Sequence, residues 1–171
     1  MEDPNNVQFV QNLVNFTSRG VRNSGTTVLF DRGRNSRCGP SGNGECLDTN
    51  MSTLIATIED EGYTVQELNS TSGSITSLDP NVKIIFLWTP LVEYTVTEIN
   101  TFKRFAAEGG RIVFVGEWEL YYTNAGIAIQ NKFLEDMGAL MRNTGEPSIA
   151  TIPSFRARRC APVSLRKASS N

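Results

Sequence analysis

Apolar positions along this chain alternate between two rhythms. Near the start, Val7, Val10 and Val14 fall on one helical face, which Phe9, Leu13 and Phe16 widen, behind a cap at Asp3 and a first-turn proline at Pro4. Thr27–Asp31 then predicts a strand. Met51, Leu54, Ile55 and Ile58 follow the i, i+3, i+4, i+7 spacing of a buried helical face, with capping residues at 48–50 and Gly62 just past the end. Tyr63–Leu68 and Val82–Trp88 predict two further strands, the second ended by Thr89-Pro90. Thr95 and Glu98 fit a capping box, and Val96, Ile99, Phe102, Phe105 and Ala106 lie on the buried side of the helix it opens. That helix stops at Gly109-Gly110, and the unbroken run Ile112–Val115 reads as a central parallel strand covered on both faces. A last helix takes Asn124 as its cap and Phe133, Met137, Leu140 and Met141 as its stripe. Regular alternation of helix and strand, joined by right-handed crossovers, predicts a three-layer α/β domain with a mainly parallel, flavodoxin-like sheet.

Two stretches carry no period. Asp31 to Asn50 is dense in Gly, Ser, Asn and Pro and holds Arg32, Arg34 and Arg37, so it reads as a long loop at the carboxyl end of the first strand. Its amides and arginines suit an anion, whereas the plainer reading is a surface excursion; no Gly-Lys-Ser or Gly-Lys-Thr phosphate signature occurs in it. Cys38 and Cys46 are spaced to close a small disulfide loop in an oxidising compartment and to stay thiols in the cytosol. The second stretch, 147–171, is an irregular basic tail with Arg156, Arg158, Arg159, Arg166 and Lys167, read as solvated rather than as a nucleic-acid patch. The chain thus divides into an N-terminal helix over 1–22, an α/β domain over 26–146 and the tail.

Composition narrows the chemistry. With 171 residues the chain suits one domain, and a formal charge of -2, from 16 basic and 18 acidic residues, gives no global attraction for nucleic acid. No apolar run is long enough for a membrane span, and the polar start lacks a signal peptide, so the sequence as written reads as cytoplasmic, or as extracytoplasmic if it is a fragment of a longer exported protein. Histidine is absent, which excludes Ser-His and Cys-His catalysis. No cofactor is expected. In an open α/β sheet, chemistry collects at the carboxyl ends of strands, which here carry Asp31, Glu117, Trp118 and Glu119. An indole flanked by carboxylates suits a sugar, the ring stacking and the acids accepting hydroxyl hydrogen bonds; the plainer reading packs Trp118 under the last helix. As an alternative, Asp31, Glu117 and Glu119 would serve a hydrolase, directly or through Mg or Ca. A third reading is a structural module of a larger envelope or scaffold protein, which supplies only contact surface, with another protein domain as its partner.

The order VLFD, loop, helix ending in Gly-Tyr-x-Val, IIFLWTP, helix ending in GGRIVFVG, then turn and helix, resembles the class I glutamine amidotransferase-like superfamily. The likeness spans Thr27 to Asn143 and is nearest to the non-catalytic, GIFT-type bacterial branches. Active members of that superfamily hold a nucleophilic cysteine in a Gly-x-Cys-x-Gly turn, with a later His and Glu. Here the turn is Gly116-Glu117-Trp118-Glu119-Leu120, so Trp118 stands at the nucleophile position. Related non-catalytic members carry Phe-Asp-x-x-His-Gly after the first strand, where this chain has Phe30-Asp31-Arg32-Gly33-Arg34. The resemblance therefore implies the fold without the chemistry. Asn6 to Phe16 is similar to the closing helix of a preceding domain in longer proteins of this kind. The candidate ligand residues are Asp31, Arg32, Arg34, Glu117, Trp118 and Glu119.

Overall fold

A computed structural model describes residues 4–34, 52–116 and 119–145. The elements run α1 (Pro4–Val14), a 3-10 turn (Val21–Ser24), β1 (Thr27–Asp31), α2 (Ser52–Asp60), β2 (Thr64–Leu68), β3 (Val82–Trp88), α3 (Val96–Ala107), β4 (Arg111–Val115) and α4 (Glu119–Asp136). Among the described residues the strands form one sheet in the order β2-β1-β3-β4, every pairing parallel. This is a three-layer α/β fold with the flavodoxin-like strand order. No helix of the described residues is long and apolar enough to cross a membrane.

The period-two alternation of the strands sorts their side chains into two cores. Leu29, Ile85 and Leu87 face Ile99, Phe102 and Phe105 of α3 and Phe133 of α4, with Ile112 and Phe114 of β4 on the same side. Val28, Phe30, Ile84 and Phe86 face Val14 of α1 and Ile58 of α2, joined by Val113 and Val115. Phe30 and Phe86 stand opposite each other in the β1–β3 register and stack with centroids 4.4 Å apart. Since Val14 is fully buried in this second core, α1 packs as part of the α/β unit. Arg111 ties it down further, donating to the Leu13 carbonyl at 3.1 Å with its guanidinium 3.8 Å from the Phe16 ring centroid.

Helix ends are set by local chemistry. Gly62, Gly109 and Gly138 each take positive φ just past a helix, and each ends it with the same pair of bonds, such as Gly110 N to Phe105 O and Gly109 N to Ala106 O after α3. At the start of α3 the capping box is complete: the Thr95 hydroxyl accepts from the Glu98 amide, and the Glu98 carboxylate accepts from the Thr95 amide at 2.8 Å.

Several expectations change. Phe9 on α1 and Val96 on α3, expected on buried faces, are 66% and 78% exposed, and Ala106 is exposed as well, so Ile99, Phe102 and Phe105 carry the buried side of α3. The run Ile112–Val115 is not central: among the described residues β4 pairs with β3 alone and is half-buried along its length. An apolar run reports that both faces are covered, which α3, α4 and α1 achieve here; it carries no information about neighbours within the sheet. The last helix ends at Asp136, because Gly138 closes it, so Leu140 and Met141 are not on its stripe and are 99% and 72% exposed. Its cap is not Asn124 either. Thr123, at φ 66 and ψ 161, breaks the helix, and its hydroxyl accepts from the Gly126 amide at 3.4 Å.

A buried arginine clamps the amino end of the sheet. Arg22, 6% exposed, donates from Nε to Glu108 at 2.7 Å and from its other nitrogens to the carbonyls of Asp79, Val82 and Leu78. Its guanidinium lies 4.7 Å from the Phe105 ring centroid.

Candidate functional site

At the opposite, carboxyl end the strand order reverses between β1 and β3, the position where sheets of this topology open a crevice for ligands. Here that position is spanned by the chain itself. Asp31 closes β1 and is 2% exposed; its Oδ1 accepts from the amides of Gly33 (3.2 Å) and Ser70 (3.1 Å), and its Oδ2 accepts from the Ser70 hydroxyl (2.5 Å). The resulting turn presses Gly33 onto the β2 exit so closely that a Cβ there would lie 2.2 Å from the Ser70 nitrogen. Only glycine fits that approach.

Turning at Gly33 sends Arg34 inward. Its Nε donates to Ser70 Oγ at 2.9 Å, and its terminal nitrogens donate to the carbonyls of Glu93 (2.7 Å) and Thr71 (2.8 Å) and to the Glu98 carboxylate. The guanidinium stacks 4.1 Å from the Tyr94 ring centroid, and the Arg34 carbonyl accepts from the Leu91 amide at 2.8 Å. Arg34 thus joins the exits of β1, β2 and β3 to the start of α3. Glu98 has no exposed surface, and its side chain caps α3 while it accepts from Arg34 and from the Ile75 amide. Burial by itself would raise the Glu98 carboxyl, yet the amides of Thr95 and Ile75 and the Arg34 charge together outweigh it and hold the group below its ordinary value of 4.5.

The surrounding turn is strained and aromatic. Thr89, 8% exposed, takes φ 38 at the end of β3, a left-handed conformation uncommon for a β-branched residue, while its amide continues the ladder to the Val115 carbonyl. The next carbonyl, of Pro90, accepts from the Tyr122 hydroxyl at 2.6 Å. Tyr94 is 7% exposed with its ring edge-on to Phe102, and burial, followed by the Asp31 charge, pushes its phenol well above the ordinary 10.0.

Of the residues singled out from sequence, Asp31 and Arg34 meet in one buried network, and Arg32 lies at its rim in an ion pair with Glu67 at 2.6 Å. Glu117, Trp118, Cys38 and Cys46 lie outside the described residues, as does the side chain of Glu119, whose backbone opens α4. Among the described residues, no three His, Cys, Asp or Glu side chains group closely enough to hold a metal ion. Ser70 and Tyr94 were not legible as site residues, since they sit in a polar loop and a capping segment without any motif. Glu98 was legible as a helix cap but not as the partner of Arg34. Comparison with models of known protein families, with curated proteins and with solved structures finds no match to this chain.

Proposed function

We propose that this chain is a non-catalytic binding or protein-interaction module of the class I glutamine amidotransferase-like kind, with a carbohydrate as its favoured small ligand. The observation that carries this reading is the state of the β1/β3 crevice. Asp31 and Arg34, the groups best placed to act on a substrate there, are 2% and 3% exposed and are engaged with Ser70, Thr71, Glu93 and Glu98. An acid or base must reach the proton it moves, and these two are turned into the protein. Absence of histidine from the whole sequence supports the same conclusion. So does Trp118, standing where active relatives of the resembled superfamily carry their cysteine. The hydrolase alternative, built on Asp31, Glu117 and Glu119, would have to take Asp31 out of its bonds to Ser70 and Gly33.

The test is a thermal-shift screen of the full chain against neutral sugars, phosphorylated metabolites, nucleotides, divalent cations and candidate protein partners, run beside assays for glutamine, ester and glycoside hydrolysis. Binding to the native state raises the midpoint in proportion to the logarithm of concentration over affinity. A saturable shift without turnover is the expected result. Turnover that follows the protein through purification and disappears in Glu117→Gln would replace the module reading with the hydrolase.

A further inference from the structure

The two edges of the described sheet are built differently. At one edge β2 turns Thr64, Gln66 and Glu67 to solvent, which blunts it against pairing with other chains. At the other, β4 has no such protection: after Arg111 it runs Ile112, Val113, Phe114 and Val115, all half-buried. The Val115 carbonyl accepts from the Thr89 amide, so the backbone of Val115 faces β3, and by alternation that of Val113 does too. The amides and carbonyls of Ile112 and Phe114 therefore point away from β3, and they have no partner among the described residues. α4 leaves β4 on the face that α3 already covers, with Phe133 against both Phe102 and Phe114, and so continues the advance of the chain past β4. An apolar ladder edge beside such a helix is where the flavodoxin-like order places a fifth strand.

We propose that the β4 edge is a docking surface for this chain's own residues 148–152, which lie outside the described residues, and that they pair with it antiparallel. The path of the chain after α4 carries the proposal. Asn131 donates to the Asn143 carbonyl at 2.8 Å and accepts from its amide at 2.7 Å, while the Asn143 side chain donates to Gln130 Oε1 at 2.8 Å. Gln130 in turn packs on Gly116, just past β4, so closely that a Cβ there would lie 2.3 Å from its Oε1. The Gly145 amide donates to Asn143 Oδ1 at 2.8 Å, so the described chain ends beside the carboxyl exit of β4. Ser148 follows three residues later, a reach of about 11 Å at full extension, and β4 is about 16 Å long. A strand beginning there cannot start at the amino end of β4, which fixes the antiparallel sense. Ser148–Ile152 holds Ile149, Thr151 and Ile152, which favour strands, between Pro147 and Pro153, which bound one. Tethering through Gly145 gives the segment an effective concentration on the order of millimolar, an advantage no second copy or free strand has. Once docked, it supplies partners for Ile112 and Phe114 and closes the edge to other chains.

Residue-resolved amide hydrogen exchange on the full chain tests this, with the double variant Ala150→Pro, Thr151→Pro removing one amide from each side of the segment. The amides of Val113 and Val115, which face β3, report whether the domain is folded. In the wild type the Ile112 and Phe114 amides are expected to exchange at least a hundredfold more slowly than in an unstructured chain. In the variant they should exchange at least tenfold faster than in the wild type, with Val113 and Val115 unchanged. Open exchange at Ile112 and Phe114 in the wild type would overturn the proposal, as would equal protection in both proteins. Protection that rises with protein concentration would assign the edge to a second copy and overturn it too. Where the variant loses Val113 and Val115 as well, nuclear Overhauser contacts between the α-protons of β4 and those of residues 148–152 in the wild type decide, their presence supporting antiparallel pairing and their absence refuting it.

Discussion

The two arginine clamps differ in how far their counter-charges are withdrawn from water. Glu108, the partner of Arg22, keeps a third of its side chain exposed, whereas Glu98, the partner of Arg34, keeps none. A charge that can rehydrate survives the loss of its partner at modest cost, and one that cannot leaves an uncompensated charge in the interior. The amino-end clamp therefore works as an ordinary fastening between the 3-10 turn, the segment before β3 and the end of α3. The carboxyl-end clamp joins Asp31, Arg34, Ser70 and Glu98 in one buried hydrogen-bonded network. Ligand sites in this topology lie at the carboxyl end, and it is there that Asp31, Arg34 and Glu98 are buried together, that Thr89 takes its left-handed φ and that the Tyr94 hydroxyl has no hydrogen-bond partner among the described residues.

The sharpest way to break the comparison is to remove each arginine in turn. Arg34→Met leaves Glu98 buried and unpaired and is expected to cost about 3–5 kcal/mol of unfolding free energy, read from urea midpoints. Arg22→Met, at the end where Glu108 reaches water, is expected to cost roughly 2–3 kcal/mol, mostly for stranded carbonyls. Equal losses would show that the difference in exposure does not matter. Gly33→Ala attacks only the carboxyl end, by forcing a methyl group against the Ser70 backbone, and should cost about 1–3 kcal/mol.

Acid should expose the same asymmetry. Because the folded protein holds Glu98 below its ordinary 4.5, the stability this contributes is fully present above that unfolded value and is lost as pH falls through the lower folded one. Wild-type stability should decline below pH 4.5, and replacing Glu98 by Gln should flatten that part of the curve. Tyr94→Phe is the smallest change and has the opposite sign. Removing the unmatched hydroxyl should raise ligand-free stability by about 1 kcal/mol.

Much of the fold was legible because it rests on local rules. The predicted strand at Tyr63 begins one residue later, at Thr64, and the one predicted at Ile112 begins one residue earlier, at Arg111. Gly62 and Gly109 end their helices as expected, and the Thr95–Glu98 box caps α3. Leu140 and Met141 misled because their spacing continues the α4 stripe across Gly138, where the left-handed turn has already ended the helix. At the site, Asp31 and Arg34 were recognisable as residues of a strand exit. Their burial was not, because it follows from the Gly33 contact with Ser70, a residue 37 positions away.

Sequence alone determined the alternation of elements, the parallel three-layer architecture, the glycine stops of α2 and α3 and the exclusion of histidine chemistry. Each of these depends on periodicity, on backbone preferences within a few residues or on composition, all of which are written along the chain. Tertiary structure decided that β4 lies at the edge of the described sheet, that Glu98 serves both as a helix cap and as the counter-charge of Arg34, and that Arg34 stacks on Tyr94 as Arg22 stacks on Phe105. Those properties arise from which distant segments meet, and a side chain's burial and electrostatic surroundings exist only once they have met.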